Sequence, residues 1–272
     1  MLNRSSRAAL AATLSALALG MSACATDSGS GSSSSANDLG LITDGTLSVC
    51  SDVPYPPFED FDKSTDTGFK GFDVDIIDAI AQKLDVKVSI KDSSFDALKS
   101  GLAINSRQCD LVASAMTITP EREQAMGFSD GYYNSEQSLL VGADSGIASI
   151  SDLSGVKVGV QKGTTGETYA NDHASGADIV VFPSDGEMYA ALKAGQVAAL
   201  LQDLPVNLDH QNDPKESGKF KVVETYDTGE KYGFAMQKTN SGLIDAVDKA
   251  LGDMKSDGSY QKIYDSYFAT AK

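Results

Sequence analysis

Gln137-Ser138-Leu139-Leu140-Val141-Gly142 and Tyr232-Gly233-Phe234-Ala235-Met236-Gln237 decide how this chain is organised. Both are short, strand-like runs, yet neither sits inside a strand–helix–strand unit. Elsewhere short apolar runs alternate with helical patterns, which predicts an α/β chain with largely parallel sheets. Strands are expected over residues 47–51, 86–91, 110–115, 156–160, 179–182 and 197–202. Between them, Val74, Ile76, Ile77, Ile80, Ala81 and Leu84 form a helical stripe. Met188 and Leu192, with the terminating Gly195, mark a second helix. Both stripes read as core packing. The two unusual runs bracket the second α/β block, as they would if the chain left one lobe, built another and returned. Residues 41–138 and 235–272 are then expected to form lobe 1 and residues 142–231 lobe 2, with a hinge where the chain crosses.

The amino terminus is of another kind. Arg4 and Arg7 precede an uncharged apolar run from Ala8 to Leu19, and Ser22-Ala23 then meets Cys24. This is the order of an export signal, too short for the roughly 20 apolar residues that span a bilayer. Met21-Ser22-Ala23-Cys24 resembles the bacterial lipobox, with Met in place of the usual Leu. Cleavage before Cys24 and lipid on its thiol are expected, so 1–23 is a signal peptide. Residues 24–40 are dominated by Ser, Gly, Ala, Asp and Asn, including the run Ser32-Ser33-Ser34-Ser35, and behave as a lipidated flexible tether. The alternative is ordinary cleavage beside an incidental cysteine.

The whole chain carries a formal charge of −16, and removing the two arginines of the signal takes it to −18. Nucleic acid would repel such a body and is excluded as a partner. Cys50 and Cys109 remain after Cys24. In an exported protein this pair reads as one disulfide or, failing that, as two buried thiols. His173 and His210 are isolated and the cysteines lack ligand spacing, so no metal and no cofactor is expected.

Ligands of open α/β sheets bind beyond the carboxyl ends of strands. Four such ends here carry groups suited to one small zwitterion. In Ala113-Ser114-Ala115-Met116-Thr117-Ile118-Thr119-Pro120-Glu121-Arg122, Thr119 reads as an N-cap and Pro120 as the first helical residue. Arg122 then sits in the first turn, where a cation gains nothing from the helix dipole. A carboxylate ligand, gripped by two parallel hydrogen bonds, accounts for it, with Thr117 adding its N–H and hydroxyl. In Gln161-Lys162-Gly163-Thr164-Thr165-Gly166-Glu167, Thr164 and Glu167 match a capping box, and the turn presents N–H groups to an anion. Asp203 ends a third strand and suits an ammonium. Asp52 and Tyr55 follow a fourth, on a proline-stiffened turn, and Phe95 follows another strand facing them. An aromatic pair beside an acid would hold an aliphatic chain with a polar or cationic tip.

Gly71-Phe72-Asp73-Val74-Asp75-Ile76, followed by Ile80, Ala81 and Leu84, resembles the pattern of family 3 extracellular solute-binding proteins, the amino-acid receptors of ABC importers. Phe128-Ser129-Asp130-Gly131-Tyr132-Tyr133 and Asp257-Gly258-Ser259-Tyr260 are also similar to family landmarks, and the similarity runs from about Leu47 to Phe268. The resemblance implies a two-lobed periplasmic-binding-protein-like fold of type II, with two mostly parallel sheets joined by two crossing strands. It also implies site roles. Arg122 and Thr117, helped by Thr165, would hold an α-carboxylate. Asp203 would hold the α-ammonium, with a carbonyl near Ser114. Tyr55 and Phe95 would sandwich the side chain, and Asp52 would meet its far end. Ala115 departs from the Gly or Ser common at its position. Gln161 stands where members vary. Both bear on which amino acid is bound.

The expected function is capture of a free polar or cationic α-amino acid between closing lobes, and its delivery to an ABC permease and its ATPase. Asp52 favours Arg, Lys, ornithine, His or Gln. An acidic ligand would need a cation at that end, and Lys162 is the candidate. The competing reading is an enzyme on the same fold, such as a dehydratase, or a receptor for another small carboxylate. Against an enzyme, the motifs contain no nucleophile–base pair and both histidines fall outside them. A monomer is expected, held at the extracellular face of the cell membrane by lipid on Cys24, as in a Gram-positive envelope. One acyl chain anchors only marginally, so more than one is expected.

Overall fold

The structure is a computed structural model that describes residues 39–269. The signal peptide, Cys24 and nearly all of the tether lie outside the described residues. Among the described residues, no helix is long and apolar enough to cross a membrane, and no cluster of His, Cys, Asp or Glu could hold a metal ion.

Among the described residues, twelve strands alternate with nine α-helices. The strands are β1 Thr46–Ser51, β2 Asp60–Phe61, β3 Phe69–Lys70, β4 Lys87–Asp92, β5 Leu111–Val112, β6 Gly127–Phe128, β7 Tyr133–Gly142, β8 Lys157–Gln161, β9 Asp178–Phe182, β10 Ala199–Asp203, β11 Phe220–Tyr232 and β12 Ala235–Met236. The helices are α1 Phe72–Leu84, α2 Phe95–Lys99, α3 Leu102–Asn105, α4 Arg122–Ala125, α5 Thr165–His173, α6 Asp185–Lys193, α7 Leu204–Gln211, α8 Ser241–Asp257 and α9 Ser259–Phe268. One sheet has the order β4-β1-β5-β12-β6 and the other β11-β7-β10-β8-β9, beside a small β2–β3 hairpin. In each sheet the βα units pair in parallel, β1 with β4 and β5, and β8 with β9 and β10. The antiparallel pairs come from β12 in the first sheet, and from β7 and β11 in the second.

The run from Tyr232 to Gln237 therefore spans the return to the first sheet, from Tyr232 in β11 to Ala235–Met236 in β12, whereas the run from Gln137 to Gly142 lies beyond the outward crossing. Residues 137–141 pair with β10, so Gln137 faces Asp203 within the second sheet. The segment between the sheets lies a few residues earlier, where Tyr133, Asn134 and Ser135 pair with Tyr232, Lys231 and Glu230. There Ile118 N–H donates to the Lys231 carbonyl at 2.8 Å and Gly233 N–H to the Met116 carbonyl at 3.0 Å, joining this ribbon to the first sheet. Apolarity alone does not distinguish a strand inside a sheet from its extension beyond the edge.

Gly71-Phe72-Asp73 explains itself in space. Gly71 has φ +133°, which side chains avoid, and a Cβ there would lie 2.1 Å from the Phe58 carbonyl oxygen. Phe72 is fully buried, ringed by Phe58, Tyr132, Tyr260, Tyr264 and Phe268. Asp73, also fully buried, accepts from Tyr132 hydroxyl and, at 2.9 Å, from Ala115 N–H. The motif thus ties the start of α1 to the turn that carries Ser114 and Thr117. Gly71→Ala should cost about 2–4 kcal/mol, from a disfavoured backbone region plus overpacking. Urea denaturation would measure it, and a loss under about 1 kcal/mol would contradict the steric account.

Cys50 and Cys109 are joined in a disulfide with Cα atoms 5.8 Å apart, buried beside Phe95, Met116 and Met126. The bridge links the end of β1 to the approach to β5, the two strands whose ends carry Asp52 and Ser114.

Candidate functional site

The eleven residues picked out in the sequence line one cleft between the carboxyl ends of the two sheets, with ≈ 290 Å³ of non-atom space partly open to solvent. The shared location follows from topology: β1 and β5 end side by side just before Asp52 and Ser114, and β8 and β10 end at Gln161 and Asp203.

Arg122 is the central cation and only 7% exposed. Its Nη1 donates to the Thr117 carbonyl at 2.7 Å, its Nη2 to the Gly163 carbonyl of the opposite wall at 3.2 Å, and its guanidinium lies 5.2 Å from the centre of the Phe95 ring. Among the described residues, no carboxylate forms an ion pair with it. Burial pulls its pKa down, and Asp203 and then Glu230 act in the opposite sense. The predicted cap is corrected in detail: α4 begins at Arg122, not at Pro120. Thr119 still accepts from Arg122 N–H, at 3.2 Å. With Thr119 and Pro120 in a turn, the helix has too few residues to impose the earlier start.

On the opposite wall, Thr164 caps α5 by accepting from Glu167 N–H at 3.1 Å. The return bond of the expected box goes elsewhere, since Glu167 accepts from Gly163 N–H at 2.5 Å. Gly163, at φ +78°, takes the left-handed conformation of the turn that makes this bond. Gly166 lets α5 press against the sheet, because a Cβ there would meet Gln137 Oε1 and the Leu201 carbonyl at 3.0 Å.

Asp203 stands before α7 without capping it. Its carboxylate accepts from Tyr232 hydroxyl at 2.6 Å, Tyr55 hydroxyl at 2.8 Å and Gln137 amide at 2.5 Å. Burial, reinforced by the Glu230 charge, pushes its pKa up to about 6 against these bonds. Asp52 accepts from the Gln161 amide across the cleft at 2.6 Å. Burial chiefly, then Asp92, pushes Asp52 up to about 6 as well, while Gln161 lowers it. The departure at Gln161 thus has a physical role, as a donor to the acid at the far end.

Tyr55 and Phe95 both border the cleft but do not pair ring to ring. Tyr55 stacks on Phe58 and gives its hydroxyl to Asp203, while Phe95 carries Arg122 on its face. Ser114 accepts from Asp52 N–H at 3.0 Å and donates to the buried Glu59 at 2.8 Å. Ala115 has φ +43°, the left-handed region that favours glycine, so a side chain here is held at a cost. Lys162 lies on the rim, paired with Asp96 at 3.1 Å.

Sequence reasoning missed Glu59, Gln137, Glu230 and Tyr232. Gln137 and Tyr232 lie in the two runs that break the alternation, and a polar residue opening an apolar strand was the available signal. Glu230 carried no signal.

The family model for bacterial extracellular solute-binding proteins, family 3, matches residues 47–270. The lysine/arginine/ornithine-binding periplasmic protein of Escherichia coli (strain K12) is 32% identical over 232 residues, covering 82% of this chain and 87% of that one. Among solved structures, an ancestral arginine-binding protein bound to glutamine is 40% identical with a TM-score of 0.76, covering 84% of this chain and all (100%) of the other. An ancestral amino acid-binding protein described as a precursor of cyclohexadienyl dehydratase is 36% identical with a TM-score of 0.73, covering 82% and 95%.

Proposed function

Because the chain belongs to the bacterial extracellular solute-binding proteins, family 3, we propose that it binds a free polar or cationic α-amino acid between two closing lobes and delivers it to an ABC importer. The observation that carries this reading is Arg122, a buried guanidinium hydrogen-bonded to carbonyls of both walls and ion-paired with no described carboxylate. A charge so buried is costly unless a partner arrives, and an α-carboxylate supplies one. Thr117 and Thr165 flank it from opposite sheets, and Asp203 takes the α-ammonium. Ligand contacts on both sides favour the closed form, which is how binding drives closure.

The lobes act about the ribbon of Tyr133–Ser135 and Glu230–Tyr232, with the first sheet on one side and the second sheet, which takes in Gln137 and Ser138 from the expected lobe 1, on the other. Asp52 lines the cleft as an acid bonded only to the Gln161 amide among side-chain donors of the described residues, while Lys162 is engaged by Asp96. Arginine, lysine, ornithine, histidine or glutamine therefore fits better than glutamate. The protein is a carrier and not an enzyme, since the charged groups of the cleft are matched to a zwitterion and its side chain. Released from its signal and lipidated at Cys24, it stays near its permease as a monomer on the outer face of a Gram-positive membrane.

Calorimetric titration of the folded body with the twenty amino acids tests this, with the ligand recovered unchanged afterwards. Failure of all twenty at micromolar levels would falsify the receptor reading. Asp52→Asn should weaken arginine roughly 30-fold or more, by removal of one partner of a buried charge pair, and leave glutamine nearly unaffected. Equal losses for both ligands would remove Asp52 from the side-chain subsite.

A further inference from the structure

Glu230 is not among the eleven residues, yet one of its oxygens is the acceptor on which the two walls converge. Oε2 accepts from Thr165 hydroxyl at 3.0 Å, from Gln137 amide at 3.1 Å and from Thr117 hydroxyl at 3.2 Å. The donors come from the first residue of α5, from β7 and from the turn after β5. The same Gln137 amide also donates to Asp203, so two carboxylates share one NH2 group. Glu230 owes its place to the ribbon between the sheets: a register shift between Tyr226 and Glu230 sets it opposite Ser135. Its carboxylate is half-buried, inside the region where charges are weakly screened.

A threonine hydroxyl has one hydrogen. Given to Glu230, it is withheld from a ligand. The two hydroxyls committed here belong to Thr117 and Thr165, the residues to which the proposed function gives the ligand's α-carboxylate. A carboxylate at Arg122 would also lie close to a second negative charge around the same hydroxyls. We propose that Glu230 is an internal competitor for the donors of the α-carboxylate, setting how tightly the carboxyl end of the ligand is held, whatever its side chain. This rests on the amino-acid reading of the cleft and adds a determinant that faces the carboxyl end alone. For a carrier, such a group keeps the α-carboxylate from being held so firmly that release is slow.

The test compares L-arginine with L-argininamide, which keeps the ammonium and side chain but has no α-carboxylate charge. Dissociation constants for both are read by competition, which reaches weak ligands, on the wild-type protein and on Glu230→Gln. Glutamine is an uncharged and weaker acceptor for the three donors, so it gives them up to a ligand carboxylate more readily, and melting of the ligand-free variant checks that the fold is kept. The preference for the acid over the amide should rise about tenfold in Glu230→Gln. Any effect on the ammonium, or on folding, acts on both ligands and cancels in that ratio. An unchanged or smaller preference overturns the role of Glu230 while leaving the amino-acid reading intact. Failure of the wild-type protein to bind L-arginine overturns the cationic reading of the site, and this inference with it.

Discussion

Arg122→Ala abolishes micromolar binding of every α-amino acid to the same degree, a loss of roughly 30-fold to several thousandfold expected from unpairing a buried charge–charge contact. The uniformity is the diagnostic part. Arg122 touches neither Asp52 nor Gln161, so the far end of the ligand does not register its removal. Two of its donors are committed to the Thr117 and Gly163 carbonyls. The rest of the planar fork remains for a carboxylate, and lysine could not reproduce that geometry. The variant also loses the stacking on Phe95 and one link between the walls. Its ligand-free melting temperature must therefore be recorded beside the titrations. A loss confined to some side chains would place Arg122 outside the carboxylate subsite.

The second large effect is with pH. Asp203 and Asp52 are both pushed up to about 6, chiefly by burial. Each must be ionised to meet a cation, so binding weakens as pH falls through that value. From pH 7 to pH 5, a neutral ligand such as glutamine loses roughly tenfold through Asp203, and arginine roughly a hundredfold through both acids. Stability of the ligand-free protein moves the opposite way. These carboxyls, and the buried Asp73 and Glu59 whose pKa values burial also raises, are easier to protonate folded than unfolded. The stability they contribute is full below the ordinary carboxylate range near 4 and is lost as pH rises through their folded values. The ligand-free protein should thus melt higher at pH 5 than at pH 7, while the increment from arginine shrinks. Melting curves with and without arginine at the two pH values measure both, and equal arginine affinity at both would refute the assignment of Asp52 and Asp203.

Much of the site was legible because its residues follow strand ends, and strand ends are legible from periodicity. Asp52, Ser114, Gln161 and Asp203 each stand at or just after the end of a parallel strand, so order along the chain nearly sufficed to bring them together. Glu230 and Gln137 were not legible. Their meeting depends on how β7 pairs with β11 and on a register shift within that pairing, and register is a property of two segments at once. Likewise Tyr55 reads as an aromatic wall from its type, but the burial of Asp203 turns its hydroxyl into a donor.

Composition and periodicity by themselves determined an α/β chain in two blocks, the strand ends at which charged groups gather, and the paired cysteines, because burial of apolar faces is a local and repeating demand. Only the tertiary structure decided which donors those charges hold, that Cys50 and Cys109 are bonded, that the ribbon between the sheets lies a few residues before the Gln137 run, and that Glu230 sits among the carboxylate donors. Hydrogen bonds are short-ranged and directional, so their partners are set by where distant segments come to rest and not by either segment alone.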